Sequence, residues 1–409
     1  MRTVETNSSG LARAVRKTRR RERFGGFALT APAVLFLLLV FFVPLVLFAW
    51  RSVDNVDAWR ALPQTRAALA VWNAEGLPPD QAFAALVHDI KALDRSTAAT
   101  LARRLNYSES GMRSMVIGLH GFTIDPARPV AEQMVAANPR WGEHRIWQVL
   151  ASESGRLTPY YVLRALDLQL VDGALAHADN ADGATFRAIY GRTFWISGVV
   201  TLLCLLLGFP VAYVLATAEG WFGRMLFVAI LLPFWTSVLV RTMSWILLLQ
   251  QNGILNRFLI DNGIIDEPLA LIYNRTGVYI AMVHVLLPFF VLPLYGVMQK
   301  VDTAQLRAAA SLGARPLAVF RHAYLPQVIP GVIAGLVLVF VTAIGFYITP
   351  VLVGGGGEQM VSYFVAFYTN SSVNWGMAAA LGTLLLLATL LILGIFHRAI
   401  GAQSAATRR

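Results

Sequence analysis

Along this 409-residue chain, apolar runs of about the length of a membrane-crossing helix alternate with polar segments. A hydrocarbon core of ~30 Å takes about 20 apolar residues in helical form. Six stretches meet that need, at residues 27–49, 194–216, 225–249, 278–298, 329–351 and 377–396. His284, Pro288 and Pro293 interrupt the fourth and Pro330 opens the fifth. Membrane helices tolerate proline where neighbouring groups satisfy the freed carbonyls. The first stretch follows an arginine-rich start, but its apolar run is too long for a secretory signal and no small-residue cleavage site precedes Arg51. It reads as an anchor that is retained.

Residues 51–192, between the first two spans, are too long for a connection and predict a folded extracytoplasmic insert. Its apolar positions recur with helical spacing: Ala67, Leu69, Ala70 and Trp72; Phe83, Leu86, Val87, Ile90 and Leu93; Met115, Ile117, Leu119 and Phe122. Breaks are expected at 76–79, 125–129 and 138–139, where Gly, Pro, Asp and Asn gather.

Composition agrees with a chain solvated mainly by lipid: 56% hydrophobic and 14% charged residues, with mean hydropathy +0.58, against roughly 25% charged in soluble domains. Charge then sets orientation, because Lys and Arg near span ends stay cytoplasmic. Arg13, Arg16, Lys17, Arg19, Arg20, Arg21 and Arg23 crowd the N-terminus, and Arg398, Arg408 and Arg409 follow the last span. Lys300, Arg307, Arg315 and Arg321 between spans four and five face only Asp302, whereas Asp261, Asp266 and Glu267 weight the preceding loop. Six spans with both termini cytoplasmic satisfy all of this. The net charge of +11 is therefore topological, and no nucleic-acid partner is inferred from it.

Several chemistries lack their residues. Cys204, inside the second span, is the one cysteine, so neither a disulfide nor a thiolate zinc site is available. The glycine run at 354–357 is followed by Glu358 and Gln359, not the Lys and Ser or Thr of a phosphate-binding loop. The seven histidines form no HExxH pair. An enzyme is not expected, nor a nucleotide bound by this chain. A secondary transporter would need coupling carboxylates in its spans, and a membrane-anchored sensor would need a cytoplasmic output domain; neither is found.

The polar loop between spans four and five has a fixed grammar. Asp302 or Thr303 can cap a short helix through Leu306, Ala309 and Ala310; Gly313 permits a left-handed turn; Pro316 suits the start of a second helix with Leu317 and Phe320 on one face. Leu325-Pro326 and Pro330-Gly331 then end the loop and restart a span. Two short helices at an angle would seat in a groove on a partner.

This segment resembles the EAA loop of permease subunits of binding-protein-dependent ABC importers: Arg307-Ala308-Ala309, Gly313, Phe320, Leu325-Pro326 and Pro330-Gly331 match its spacing. Arg307 stands where that family carries Glu, which removes the cap or ion pair that Glu would make. The stretches LLPFWTSVLVRTMSW, NGILN, LLPFFVLPLY, TPVLVGG and NWGMAAALG, in that order within 193–400, resemble the spermidine/putrescine-type branch. The resemblance implies an all-α membrane protein of the type I ABC importer permease architecture in the bacterial inner membrane. It would have a cytoplasmic tail at 1–26, a first helix at 27–50, the insert at 51–192, a five-helix core at 193–400 with its coupling loop at 302–326, and a tail at 401–409. It further implies docking of Arg307, Ala308, Ala309, Gly313, Phe320, Leu325 and Pro326 on a separate ATPase subunit that uses the ATP. A second permease subunit and an extracytoplasmic binding protein would complete the assembly.

For the path, Arg241 is a charge within a span, close in sequence to Trp235, Ser237 and Trp245. Snorkelling or a bond to a carbonyl accounts for it equally well. His284 is a weaker candidate, and Tyr347 and Thr349 are implied only by the resemblance. The expected cargo is a small polar or cationic solute, polyamines included.

Overall fold

The computed structural model describes residues 30–171, 174–178 and 186–406. The basic N-terminal cluster, the first residues of the first expected span, and Arg408 and Arg409 lie outside them. The chain divides into two compact units, Met1–Thr158 and Pro159–Arg409.

In the first unit, α1 (Thr30–Trp50) is an apolar helix with no buried residue in its most hydrophobic window. It widens into a π turn at Leu38–Phe42, directly before Pro44. A proline ring strikes the carbonyl four residues back, and a wider turn moves that carbonyl away.

Seven short helices follow: α2 (Val56–Ala61), α3 (Pro63–Leu69), α4 (Asp80–Ala92), α5 (Arg95–Ser108), α6 (Met112–Leu119), α7 (Val130–Ala137) and α8 (His144–Glu153). Their core is aromatic at its centre. The Trp147 ring lies 4.2 Å from Phe83 and 5.9 Å from Trp141, and its indole N–H donates to the Trp141 carbonyl at 2.9 Å. Of the expected apolar positions, Leu69, Phe83, Leu86, Val87, Ile90, Met115 and Leu119 are buried. Ile117 is exposed, and Leu101, Leu105, Ile146 and Leu150 of α5 and α8 complete the core.

Two buried carboxylates fix how these helices join. Asp89 accepts from the Thr65 backbone N–H and hydroxyl, both at 2.7 Å, and so caps α3 from a distance in sequence. Glu153 pairs with Arg104, accepts from Ser108 Oγ at 2.7 Å and from Thr158 Oγ1 at 3.1 Å. Arg104 Nε in turn donates to Asn55 Oδ1 at 3.1 Å. Both members of the ion pair are buried and multiply bonded, which tethers the start of the insert to its end.

The second unit opens with α9 (Tyr160–Ala165) and a two-stranded antiparallel hairpin, β1 (Leu168–Val171) and β2 (Ala174–His177), with Leu168 opposite His177. Among the described residues, this hairpin and an isolated bridge between Asp54 and Leu157 are the β pairings in an otherwise helical chain. Asp167, at φ +57°, accepts from the backbone N–H groups of Phe186 and Arg187, both at 2.8 Å, capping α10 (Phe186–Thr217). After it come α11 (Gly220–Leu231), α12 (Val238–Leu249), α13 (Ile254–Asp261), α14 (Arg275–Met298), α15 (Thr303–Ser311), α16 (Pro316–Gly345), α17 (Ile348–Gly354), α18 (Val361–Asn370) and α19 (Trp375–Ala406).

Among the described residues five helices are long and apolar enough to cross a membrane, or six if one bent pair is a single span. That pair corrects the straight crossing expected at 225–249. Gly220–Trp235 and Val238–Asp261 meet at 104°, because Pro233 sits in a 3-10 turn and Thr236 and Ser237 are extended. The fifth span is also displaced from 329–351. It ends at Gly345, Phe346 is extended, and Pro350 falls in the first turn of a new helix, α17.

The unit is held by a close crossing of α10, α14 and α16. Phe290 of α14 is fully buried and faces a glycine on each neighbour. A Cβ at Gly208 would lie 2.5 Å from its ring, and one at Gly335 would lie 2.8 Å from its ring and 3.0 Å from its carbonyl oxygen. Hydrocarbon around a membrane helix supplies no hydrophobic drive to associate, so small residues that admit a neighbour's bulk provide the packing energy instead.

Candidate functional site

The loop singled out in the sequence presents α15 as a surface helix with no buried residue. Asp302 caps it, Oδ1 accepting from the Ala304 N–H at 2.8 Å. Gly313 turns the chain at φ +81°, a region open to glycine. Leu306, Phe320 and Leu325 pack inward against the core of the unit. Phe320 stacks on Tyr324 with centroids 5.6 Å apart and meets Phe209 of α10 edge-on at 6.2 Å. Outward the loop offers Arg307, Ala308, Gly313 and Pro326, with Ala309 half-buried. Two large apolar side chains that the sequence reading did not assign to the site join them: Leu312 is 88% and Leu317 76% exposed.

Two expectations for this loop are corrected. Leu317 and Phe320 do not share a face, since one points to solvent and the other into the core. The second short helix is not separate from the span, because α16 runs from Pro316 to Gly345 as one helix. A π turn at Phe320–Tyr324 lies directly before Pro326, the same accommodation of a proline ring seen in α1. Arg307 makes no ion pair among the described residues.

At the opposite end of α16, Phe346 borders a cavity of about 120 Å³ lined also by Pro233, Phe234, Val238, Arg241, Val285, Pro288 and Phe289. It lies at the break between the arms of the bent span. Arg241 is half-buried, and its Nε has no hydrogen-bond partner. One turn further along α12, Trp245 donates from Nε1 to Nδ1 of His284 at 3.2 Å, which requires the neutral tautomer protonated at Nε2. The structure thus brings Arg241, Trp245 and His284 into one neighbourhood. Trp235 and Ser237 sit exposed at the break, and Tyr347 is 41% exposed. Thr349 is enclosed instead, its hydroxyl 3.1 Å from that of Thr242, where it joins α12 to α17.

The glycine run is tied down. Arg192 of α10 donates to the carbonyls of Gly357 and Gln359, and Arg275 pairs with Glu358 at 2.9 Å. Gly354 makes a close approach, since a Cβ there would lie 2.5 Å from Val278. Among the described residues no group of three or more His, Cys, Asp or Glu side chains is placed to hold a metal ion.

An apolar helical unit with five long apolar helices, a bent helix pair and a capped surface helix at the head of one of them has the architecture of a multi-pass membrane protein. Residues 204–403 match the family described as binding-protein-dependent transport system inner membrane component, and the chain belongs to it. It is 35% identical over 220 residues to the spermidine/putrescine transport system permease protein PotB of Haemophilus influenzae, a match covering 52% of this chain and 76% of that one. To the Escherichia coli K12 protein of the same name it is 34% identical over 201 residues, covering 49% and 73%. To the molybdenum transport system permease protein ModB of Mycobacterium bovis it is 31% identical over 200 residues, covering 48% and 74%. The chain is therefore a transport permease subunit of the ABC importer class, multi-pass in the inner membrane of a bacterium.

Proposed function

We propose that this subunit forms the translocation path for a small polar or cationic solute, polyamines included, delivered by an extracytoplasmic binding protein. Its motor is an ATPase on separate chains, and a second permease subunit completes the path. Both termini lie in the cytoplasm on this reading, which the basic residues at 13–23 and 300–321 support. The observation that carries this reading is the surface of α15: a capped helix, presenting Ala308, Leu312 and Gly313 outward, at the head of a continuous span whose far end borders the Arg241 cavity. Small residues let a partner's backbone approach, and the exposed leucines give it apolar area to cover. The names of the similar permeases support polyamine cargo. No Asp or Glu occurs in α10, α11, α12, α14, α16 or α19, so a cation would be met by aromatic faces such as Trp235, Trp245 and Phe234.

The test is co-purification with the ATPase subunit. Gly313→Asp forces a side chain into a left-handed backbone and Ala309→Glu brings charge into the seat; each is expected to abolish ATPase association while membrane insertion stays normal. Undiminished ATPase with either variant would overturn the assignment of this surface. Transport of radiolabelled putrescine by the assembled complex, with and without excess spermidine, tests the cargo separately.

A further inference from the structure

The first unit carries a constellation that transport leaves unused. α1 is apolar up to Trp50 and is followed at once by Arg51, and a tryptophan beside the first charged residue after an apolar helix sits at the lipid–water boundary. The chain stays near that boundary beyond it, since the N–H groups of Val53 and Asp54 both bond back to the Trp50 carbonyl at 3.1 Å. Residues 156–158, at the end of the first unit, are drawn to the same level. Asp54 bridges Leu157, Asn55 N–H donates to the Arg156 carbonyl at 3.0 Å, and Thr158 N–H donates to that of Val53 at 2.9 Å.

Here Trp59 is flanked by two guanidinium groups, Arg66 at 5.0 Å and Arg156 at 5.8 Å from its ring centroid. Arg60 is exposed beside it, and neither Arg60 nor Arg156 makes an ion pair among the described residues. Asp54 is paired with Arg51 at 3.4 Å, and buried Asp89 is taken up by Gln64 and Thr65. Trp50 and Leu157 stand open to their surroundings at 51% and 55% exposure. Arginine, tryptophan and exposed aliphatic side chains at a membrane boundary are the elements that hold a protein to an anionic lipid surface.

We propose that Arg66 and Arg156, set over Trp59, together with the exposed Arg60 of the same short helix as Trp59, bind the headgroup of an anionic phospholipid, with Trp50 and Leu157 against its acyl chains. Continuity with a membrane helix argues for lipid as the occupant, and the charge excess argues for an anionic one. The helical first part of the insert is then held to the bilayer through residues 50–54 and 156–158.

The full-length chain tests this in nanodiscs of phosphatidylcholine with and without phosphatidylglycerol. Native mass spectrometry of the released protein is expected to show phosphatidylglycerol retained over phosphatidylcholine. Each arginine removed lowers that preference about fivefold, so Arg60→Gln with Arg156→Gln lowers it about 25-fold. In a Cys204→Ser background, a fluorophore on Leu157→Cys is expected to be quenched by headgroup-spin-labelled lipid, and more strongly in the anionic discs. Equal retention of the two lipids by the unaltered protein, or quenching that ignores lipid charge, would overturn the proposal. Should the double variant melt early, Arg60→Gln alone decides: an undiminished lipid preference counts against the site and a fivefold loss for it.

Discussion

The crossing at Phe290 gives the sharpest physical test of the fold. Gly208→Ala has two opposed effects. A helical Gly→Ala change gains about 0.5–1 kcal/mol of backbone propensity, while forcing a methyl to 2.5 Å from the Phe290 ring costs about 1–3 kcal/mol of overpacking. The net is a modest destabilisation that would by itself prove little. A double-mutant cycle with Phe290→Ala removes the ring that clashes but leaves the propensity gain, so the coupling energy isolates the steric contact. Gly208→Ala should be destabilising beside Phe290 and stabilising where alanine replaces it, with a coupling of about 1–3 kcal/mol. Gly335→Ala should couple less, because its added methyl also meets the Phe290 carbonyl at 3.0 Å, and no side-chain change relieves that. Unfolding of the purified chain in mixed micelles titrated with denaturing detergent measures all members of the cycle. A coupling at Gly208 below about 0.5 kcal/mol, the level of independent sites, or one smaller than at Gly335, would refute the wedge.

Two further outcomes follow from the insert. Glu153→Ala should destabilise the first unit by about 3–5 kcal/mol because it strands buried Arg104, whereas Arg104→Met with Glu153→Leu should recover most of that; protease susceptibility of residues 51–158 in the full-length chain reports both. The Asp94 carboxyl is held well below its ordinary value of 3.8 by hydrogen bonds from the Ser96 and Thr97 side chains, with backbone N–H groups adding to them. A depressed folded-state value means that the capping contribution is complete above the unfolded value and lost as pH falls beneath it. Amide exchange in the first turn of α5, corrected for intrinsic pH dependence, should therefore be flat from pH 7 to pH 5 and rise below about 3.8. Asp94→Asn should abolish that rise, and a rise already complete at pH 5 would contradict the assigned cause.

The sequence exposed what depends on composition and local grammar. Span positions follow from apolar length, and the Asp302 cap and the Gly313 turn from residues whose backbone preferences are strong. Breaks within apolar stretches were harder to read, because hydropathy does not register a bend: Leu231 to Val240 is apolar enough to pass as a straight crossing, and only Pro233 with Thr236-Ser237 marks the 104° turn. Pro350 was a readable sign that the fifth span had ended and another helix begun. The π turn that fuses the coupling loop to α16 follows from Pro326, yet a proline beside a leucine reads as a loop boundary unless a widened turn is considered. Thr349 shows a different limit. Only the family resemblance makes it a path candidate, and its packing against Thr242 is a tertiary contact that no local pattern in the sequence marks.

Continuity of α16 bears directly on how the proposed coupling would work. A loop of separate helices could absorb a push at Gly313 by rearranging, but a continuous helix of 30 residues, about 45 Å long, carries it along its axis. Gly335, where an added Cβ would lie 2.8 Å from the Phe290 ring, is about 29 Å from the Pro316 end and about 17 Å from Phe346. A rigid rod pivoting there moves its two ends in opposite senses, with the cavity end travelling roughly 0.6 times as far as the coupling end. Phe346 borders the cavity in which Arg241 Nε is unpartnered, so a shift there acts on an unsatisfied polar group, which gains more from a new bond than an already paired one would. On the proposed coupling, α16 would act as the lever and the Arg241 cavity as the load. A coupled path needs both, because a displacement that changed no interaction would do no work on the solute.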